Sequence, residues 1–415
     1  MKKFVIISVS LVLVAVIAFG IGVYHYMKVK EPEKKEQEVE ATEVAIETKA
    51  PVMAPTEEGR VKRDDTAVNS DNVFESGQKQ AQTHVGQMTK EEMVGQLLLG
   101  ICPDASTASA QMKQYSLAGM LFTRENFQGM AKEQISAALT AAAKDLKTSP
   151  ILAAQEEGGP NTTISDLTGF EQYDFNAPRT EFDIGGLQGV EKAEESKILM
   201  LKEAGFNMNL APVIDLATSA DQIMYSRSIS GDVDTASSYA EYAAKFDQPR
   251  GVSIVLQHFP GYGTIPDSAN TGVGAVVDDR EADTIRNTDY TPFKKGVTAG
   301  AHCVMMSNVV VQKIDPSHTA ALSPSLHKEL RDTVGFSGII MTDVLDNADY
   351  SAYADGKKPA VQAVLAGNDL ILVRDYAAAY NDILAAVNNG TITEDQLKEA
   401  CTRVLAYKYT AKLIK

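Results

Sequence analysis

The chain has 415 residues, 44% of them hydrophobic and 23% charged, and its formal net charge is −16. This length allows one large domain or two domains to bury their own cores, so the fold needs no disulfide framework. The acidity excludes nucleic acid as the expected partner, because the phosphate backbone would repel the protein. Cys102, Cys303 and Cys401 are far apart and odd in number, and the six histidines show no metal-ligand spacing. We therefore predict neither a metal nor another cofactor, and we expect Cys303 to be a small core residue.

The N-terminus carries an uncharged apolar run over residues 4–24, preceded by Lys2 and Lys3. A helix that crosses a bilayer needs about 20 apolar residues, whereas the apolar part of a cleaved signal peptide has about 7–15. We therefore favour an uncleaved transmembrane anchor over residues 1–27, with a cleaved signal peptide as the alternative. The expected location is the cell membrane, with a single span and the main domain outside the cell.

Residues 28–85 are rich in Glu, Lys, Thr, Pro and Ala and show little apolar periodicity, so they are predicted to be a disordered acidic linker. The folded domain is predicted to cover residues 86–415. Its first helix should begin after Thr89, because Glu92 stands three residues later, at the spacing of a capping box.

Beyond that point, short apolar runs alternate with segments of helical periodicity. Eight strands are predicted, at residues 96–101, 118–123, 151–155, 207–211, 252–257, 303–307, 338–342 and 369–373. This alternation is typical of a parallel sheet with helices packed outside it. We predict an α/β fold, a single (β/α)₈ TIM-type barrel preceded by the transmembrane helix and the linker. A doubly wound open sheet is the alternative, but no G-x-G-x-x-G follows an early strand.

Polar residues follow most of these predicted strands. They are Arg124, Asn126, Gln155, Glu156, Glu157, Asp215, Gln257, His258, Ser307, Asn308, Thr342, Asp343, Arg374 and Asp375. In a barrel of this type the carboxyl ends of the strands meet at one mouth, which is the functional face. Carboxylates, amides and a histidine at that mouth favour a small polar ligand such as a sugar, whose hydroxyls both donate and accept hydrogen bonds.

Six segments occur in an order that resembles glycoside hydrolase family 3. They are AAQEEGGP, GFNMNLAPVID, SRSISGD, QHFPGYG, GFSGIIMTDV and LAGNDLILV. The resemblance is strongest to the compact single-domain branch, the bacterial β-N-acetylhexosaminidases, and it covers residues 89–415. It implies a retaining double displacement, in which a carboxylate attacks the anomeric carbon and water then releases the sugar.

The resemblance also implies roles for individual residues. Asp343, in the segment GIIMTDV, takes the place of the nucleophile, and Arg227 and His258 match residues of the sugar pocket. Two further pocket positions are changed: Gln155 replaces an aspartate, and Gln257 replaces a lysine. Pro160 stands where the family has an arginine, and Asn308 is a sugar-binding candidate from its place at a strand end. The changes at Gln155 and Gln257 should weaken or re-tune the sugar site, because neutral amides replace charged hydrogen-bonding groups there.

The family's compact branch has D-[ST]-H after the glycine-rich turn, where the histidine is the acid/base and the aspartate orients it. This chain has Asp267, Ser268, Ala269 and Asn270 there, and neither Ala269 nor Asn270 can transfer a proton near neutral pH. Three interpretations stay open. Another acid, drawn from Asp267, Glu157 and Asp278, replaces the histidine; substrates whose leaving groups need no protonation are cleaved; or the domain does not turn over.

The predicted function is slow or re-tuned β-N-acetylhexosaminidase-type hydrolysis of N-acetylglucosamine-containing cell-wall glycans. The alternative is a non-catalytic, membrane-tethered domain that binds a glycan or acts as a scaffold. The expected partners are a peptidoglycan-type carbohydrate and, through residues 1–27, the membrane. The chain is expected to be a monomer.

Overall fold

The structure is a computed structural model that describes residues 72–270, 275–345 and 348–414. The predicted membrane anchor and all but the last fourteen residues of the predicted linker lie outside these described residues. Within the described part, no helix combines the length and apolarity needed to cross a membrane.

The core of the fold is a parallel sheet of eight strands that nearly closes into a barrel. The ten strands of the described chain are β1 (Leu98–Ile101), β2 (Gly119–Leu121), β3 (Ile151–Ala154), β4 (Met208–Asn209), β5 (Ser253–Phe259), β6 (Val276–Asp278), β7 (Cys303–Met306), β8 (Val309–Val311), β9 (Ile339–Thr342) and β10 (Ile371–Val373). The order around the sheet is β10-β1-β2-β3-β4-β5-β7-β9, and a single bridge between Met341 and Leu370 joins the two ends. β6 and β8 pair with each other outside the barrel. The eight predicted strands are confirmed, and each contributes one barrel strand.

Twelve α-helices surround the sheet in the described chain. They are α1 (Glu75–Val85), α2 (Lys90–Gln96), α3 (Ala108–Tyr115), α4 (Lys132–Ala142), α5 (Pro178–Ala204), α6 (Val233–Asp247), α7 (Ala282–Asn287), α8 (Tyr290–Thr298), α9 (Pro324–Asp332), α10 (Pro359–Ala366), α11 (Tyr376–Asn388) and α12 (Glu394–Thr410). The capping box at the start of α2 is present, since the Thr89 side chain accepts from the backbone N–H of Glu92 and the Glu92 side chain accepts in return. α5 is kinked at Gly186, which has a positive φ of 59°.

Helix α1 belongs to the folded domain, although residues 75–85 were assigned to the linker from sequence. It packs along α12, and the closest approach is at Gly77, where an added Cβ would lie 2.4 Å from the carbonyl oxygen of Ala406. The two helices also meet at their outer ends through a hydrogen bond between Ser76 and Thr410, 3.3 Å long. Any side chain at position 77 would therefore push the helices apart.

The described chain enters the barrel at the amino-terminal ends of the strands. The Val73 N–H donates to Oγ of Ser337, just ahead of β9, at 3.0 Å. The ring of Phe74 lies 5.4 Å from that of His302, just ahead of β7. The entry point is therefore on the face opposite the carboxyl ends of the strands.

The strands bury their side chains almost completely. Cys303 is fully buried in β7, as predicted, and burial raises the pKa of its thiol well above the ordinary value. The buried amine of Lys408 also lies in this interior. The Lys408 amine donates to Oε1 of Gln96 and to the carbonyl oxygen of Ala118, both at 2.8 Å. Burial lowers the pKa of Lys408 to about 7, and no carboxylate among the described residues pairs with it.

Candidate active site

Asp343 lies at the barrel mouth, directly after the end of β9, and its side chain is half-buried. Its backbone N–H donates to the carbonyl oxygen of Met306 at the end of β7, at 3.1 Å. Nδ2 of Asn308 donates to the carbonyl oxygen of the next residue, Val344, at 3.0 Å. Two neighbouring strands therefore fix the backbone that carries the Asp343 carboxylate, as a reacting group requires. Oδ1 of Asn308 is buried and has no hydrogen-bond partner among the described residues.

The Glu157 carboxylate, only 2% exposed, is the centre of a hydrogen-bond network below the mouth. Nε and Nη2 of Arg227 donate to its two oxygens at 2.9 and 2.7 Å, in a bidentate pair. Nε2 of Gln155 donates at 2.8 Å, Nδ2 of Asn161 at 3.1 Å and Nε2 of Gln257 at 3.4 Å. The structure thus brings three of the predicted sugar-binding residues together around Glu157.

The charges of this network decide what Glu157 can do. Burial by itself would raise the pKa of Glu157, but the charge of Arg227 and the hydrogen bonds from Arg227 and Gln155 outweigh it and lower that pKa. Burial would likewise lower the pKa of Arg227, but Glu157 and then Asp343 and Asp215 raise it. Both groups are therefore charged at neutral pH. Glu157 holds no proton to give, which removes it from the candidate acids.

The two replaced pocket positions differ from their family counterparts in what they leave for a ligand. Gln257 uses both hydrogens of Nε2 inside the protein, since it also donates to the carbonyl oxygen of Leu210 at 2.9 Å. Gln155 uses one donor on Glu157. What these amides chiefly keep for a sugar is a carbonyl oxygen, which is a neutral acceptor. A lysine at position 257 would have brought a positive charge instead.

His258 is buried and held by Asp215. Nδ1 of His258 lies 2.8 Å from Oδ2 of Asp215, so Nε2 is on the opposite side of the ring. The same carboxylate accepts from the backbone N–H groups of His258 and Tyr262, at 3.1 and 2.8 Å. Asp215 therefore fixes the glycine-rich turn as well as the imidazole.

Tyr262 is a site residue that the sequence analysis did not select, although it lies inside the quoted segment QHFPGYG. Its ring meets that of His258 edge-on, with centroids 5.4 Å apart. Burial, followed by the negative charges of Asp343 and Asp215, raises the pKa of Tyr262 well above its ordinary value. The phenol therefore keeps its proton at neutral pH.

The two other candidate acids are in different surroundings. Asp278 lies at the end of β6, only 2% exposed, and Arg280 contacts its carboxylate through Nε, at 3.1 Å, and Nη2, at 2.8 Å. Asp267 lies in an exposed turn, and its carboxylate forms no hydrogen bond or ion pair with another described residue. Ala269 and Asn270 are exposed in the same turn, and residues 271–274 are outside the described part. Of the three candidates, Asp267 alone is open to solvent.

Comparison with known proteins agrees with this geometry. A model of the family described as Glycosyl hydrolase family 3 N terminal domain matches residues 82–407. The Beta-hexosaminidase of Stenotrophomonas maltophilia (strain R551-3) is 30% identical over 292 residues, which are 67% of this chain and 82% of that protein.

Two solved structures are similar throughout the barrel. A glycoside hydrolase family 3 beta-N-acetylglucosaminidase from Paenibacillus sp. str. FPU-7 is 25% identical, with a TM-score of 0.69; the match covers 79% of this chain and 63%, less than two thirds, of that protein. The Beta-N-acetylhexosaminidase from Beutenbergia cavernae DSM 12333 is 27% identical, with a TM-score of 0.65, over 78% of this chain and 99% of that protein. The chain therefore belongs to glycosyl hydrolase family 3, of which it contains the N-terminal, barrel-forming domain.

Proposed function

We propose that this protein is a retaining glycosidase that acts on β-linked N-acetylglucosamine glycans, with Asp343 as the nucleophile and with little acid assistance. The observation that carries the proposal is the placement of Asp343, half-buried at the barrel mouth, with its backbone fixed by β7 and by Asn308. The hexosaminidase and N-acetylglucosaminidase names of the relatives support the choice of sugar.

The reaction proceeds in two displacements. A carboxylate oxygen of Asp343 forms a bond to the anomeric carbon while the bond to the leaving oxygen breaks, and that oxygen takes the electron pair. Water then attacks the same carbon, Asp343 leaves as a carboxylate, and the proton of the water passes to solvent or to a nearby base. Arg227 and His258 are the proposed sugar-binding side chains, and the carbonyl oxygens of Gln155 and Gln257 are the proposed acceptors.

Protonation of the leaving group is the weak step. Glu157 is ionised beside Arg227, and Asp278 is paired with Arg280. That leaves Asp267 or water as the proton source. Loss of a well-placed general acid slows a reaction by about 10²–10⁴-fold. We therefore expect slow turnover and a strong preference for leaving groups of low basicity.

The test is release of dinitrophenol from dinitrophenyl N-acetyl-β-glucosaminide by the full-length chain. This leaving group needs no protonation, so the assay isolates the nucleophile from the missing acid. Release should vanish in Asp343→Asn and persist in Asp332→Asn, an exposed aspartate at the end of α9. Equal release by both variants would contradict the assignment of Asp343.

A non-catalytic glycan-binding domain is the second candidate. It is favoured by the presence of Ala269 and Asn270 where the family has its acid/base histidine. It is also favoured by Gln257, whose Nε2 donates to Glu157 and to the carbonyl oxygen of Leu210 and so has no hydrogen left for a sugar. This candidate predicts no release of dinitrophenol above the Asp343→Asn background while N-acetylglucosamine oligomers still bind. Release that depends on Asp343 would reject it.

We also propose that residues 1–27 anchor the protein in the cell membrane and that the barrel acts on cell-wall glycans outside the cell. The support is the uncharged apolar run over residues 4–24, which is long enough to cross a bilayer. Protease added to intact cells should then digest the barrel. A barrel that stays intact while a known surface protein is digested would refute this location.

A further inference from the structure

A cavity of about 770 Å³, called here the side cavity, lies on one side of the barrel mouth. Its inner wall includes Cys102, Leu345 and Arg374, which follow β1, β9 and β10, and its outer wall is formed by α3, the start of α10 and α11. Leu345 is two residues beyond Asp343, so their Cα atoms are at most about 7 Å apart. The side cavity therefore begins next to the proposed nucleophile, and its volume is typical of a small-molecule site.

Two tyrosines line the side cavity, Tyr115 half-buried and Tyr376 only 8% exposed. The rings of Tyr115 and Tyr376 meet edge-on, with centroids 5.8 Å apart. The Tyr376 ring lies against Gly100 of β1, where an added Cβ would come within 2.8 Å of a ring carbon, and its hydroxyl donates to Oε1 of Gln111. A glycine at position 100 thus makes room for this ring. Aromatic surface with a few polar groups around it is the usual composition of a ligand site.

The polar groups of the rim select the chemistry of the ligand. Gln114, Lys358 and Asp382 line the side cavity, and their side chains form no hydrogen bond or ion pair with another described residue. Together they offer an amide, an ammonium donor and a carboxylate acceptor, the mixture that matches hydroxyl groups. Arg374 and Asp375 add one charge of each sign. Two cations and two anions leave no net charge, which disfavours phosphate and polyanions and favours a neutral ligand.

We infer that the side cavity is a second carbohydrate-binding region, which holds the sugar units adjoining the one placed at Asp343. The inference rests on the proposed function, because it takes the mouth as the place where the reacting sugar sits. It extends the proposed site from the sugar placed at Asp343 to an oligosaccharide. The rim residues contact neutral hydroxyl and acetamido groups, and the half-buried ring of Tyr115, held by Tyr376, packs against the apolar face of a sugar ring.

The experiment measures binding by the full-length chain carrying Asp343→Asn, so that no substrate is consumed. The probes are N-acetylglucosamine and its β-1,4-linked tetramer, studied by titration calorimetry. The test variant adds Gln114→Ala, Lys358→Ala and Asp382→Ala, three positions whose side chains contact no described polar group. The control variant adds Lys113→Ala, an exposed residue on α3 that lies outside the side cavity.

The tetramer should bind more tightly than the monosaccharide, and the triple rim variant should lose about 10-fold or more of the tetramer affinity, since three hydrogen bonds are removed. Its affinity for the monosaccharide and the affinities of the control should be unchanged. Equal affinity for the two probes, or equal tetramer affinity of rim variant and control, would overturn the inference. Displacement of the tetramer by a neutral tetrapeptide would also overturn it, in favour of a peptide site.

This outcome is separate from that of the proposed function. Dinitrophenol release reports attack by Asp343 and needs no occupant in the side cavity, whereas the titration reports length-dependent binding and needs no turnover. A tetramer bound through the rim without any release of dinitrophenol would leave the side cavity established and the glycosidase rejected.

Discussion

Replacing Glu157 by glutamine tests whether the buried network below the mouth depends on charge. The glutamine keeps the size of the side chain but removes the negative charge that faces the Arg227 guanidinium at 2.7 Å. Glu157 is 2% exposed, whereas the Arg227 side chain that keeps its charge is 23% exposed, so water can take over only part of the lost role. Removing one partner of a buried ion pair costs about 3–5 kcal/mol, because an uncompensated charge is left behind. Because Arg227 is partly exposed, we expect Glu157→Gln to lower the free energy of unfolding by up to that amount.

The assay is urea denaturation of the full-length chain at pH 7, from which the free energy of unfolding is extrapolated linearly to zero urea. Glu203→Gln is the matched control, since Glu203 pairs with Lys132 at 2.7 Å but is 55% exposed. Loss of an exposed pair costs about 0–1 kcal/mol. If Glu157→Gln lost no more stability than Glu203→Gln, the account of a charged, buried hub would be refuted.

Three further changes have defined outcomes. Ala269→His should speed cleavage of an alkyl N-acetyl-β-glucosaminide by up to about 10²–10⁴-fold and cleavage of the dinitrophenyl substrate far less. The control Ser268→His should speed neither reaction. An equal rate increase for both substrates would argue against restored acid catalysis. Because the pKa of Lys408 falls to about 7 on folding, the unfolded state binds more protons between pH 7 and pH 10. The stability of the wild type relative to Lys408→Met should therefore rise with pH in urea titrations across this range, and a flat difference would disprove it. Asp215→Asn should cost about 1.5–3 kcal/mol of stability, with a loss of His258-dependent sugar binding in calorimetry; unchanged binding would separate His258 from the sugar site.

The barrel was predictable because its strands are apolar runs bounded by turn residues, as in residues 303–307 and 338–342. The elements that were missed lack such a signal. β6 and β8 have three residues each, so neither offers an apolar run of ordinary strand length. In α1 the buried residues are Gly77, Ala81 and Val85, four apart and small, so no apolar stripe marks the helix. It is stabilised by contact with α12, which lies more than 300 residues away in the chain.

The candidate site was predictable as a set of residues but not as a set of contacts. The segment resemblance selected Asp343, Arg227 and His258; in the structure Asp343 directly follows β9, His258 lies in β5, and Arg227 pairs with Glu157. Glu157 is a possible acid from sequence alone, because nothing local reveals its partners. The donors that reach it come from 2 to 100 residues away along the chain, from Gln155 to Gln257. Such contacts arise from the closing of the barrel and leave no periodic trace in the sequence.

The entry of the chain beside Ser337 and His302 has a practical consequence for how the protein can be handled. Both ends of the described domain, near Ser76 and Thr410, come together where α1 packs on α12. Phe74 and Val73 fix the N-terminal end on the barrel face opposite the carboxyl ends of the strands, away from Asp343. A protein held on a sensor surface through a tag ahead of residue 72 would therefore turn the barrel mouth toward the solution. Large polymeric glycans could then reach the mouth and the side cavity without entering the space between the protein and the surface.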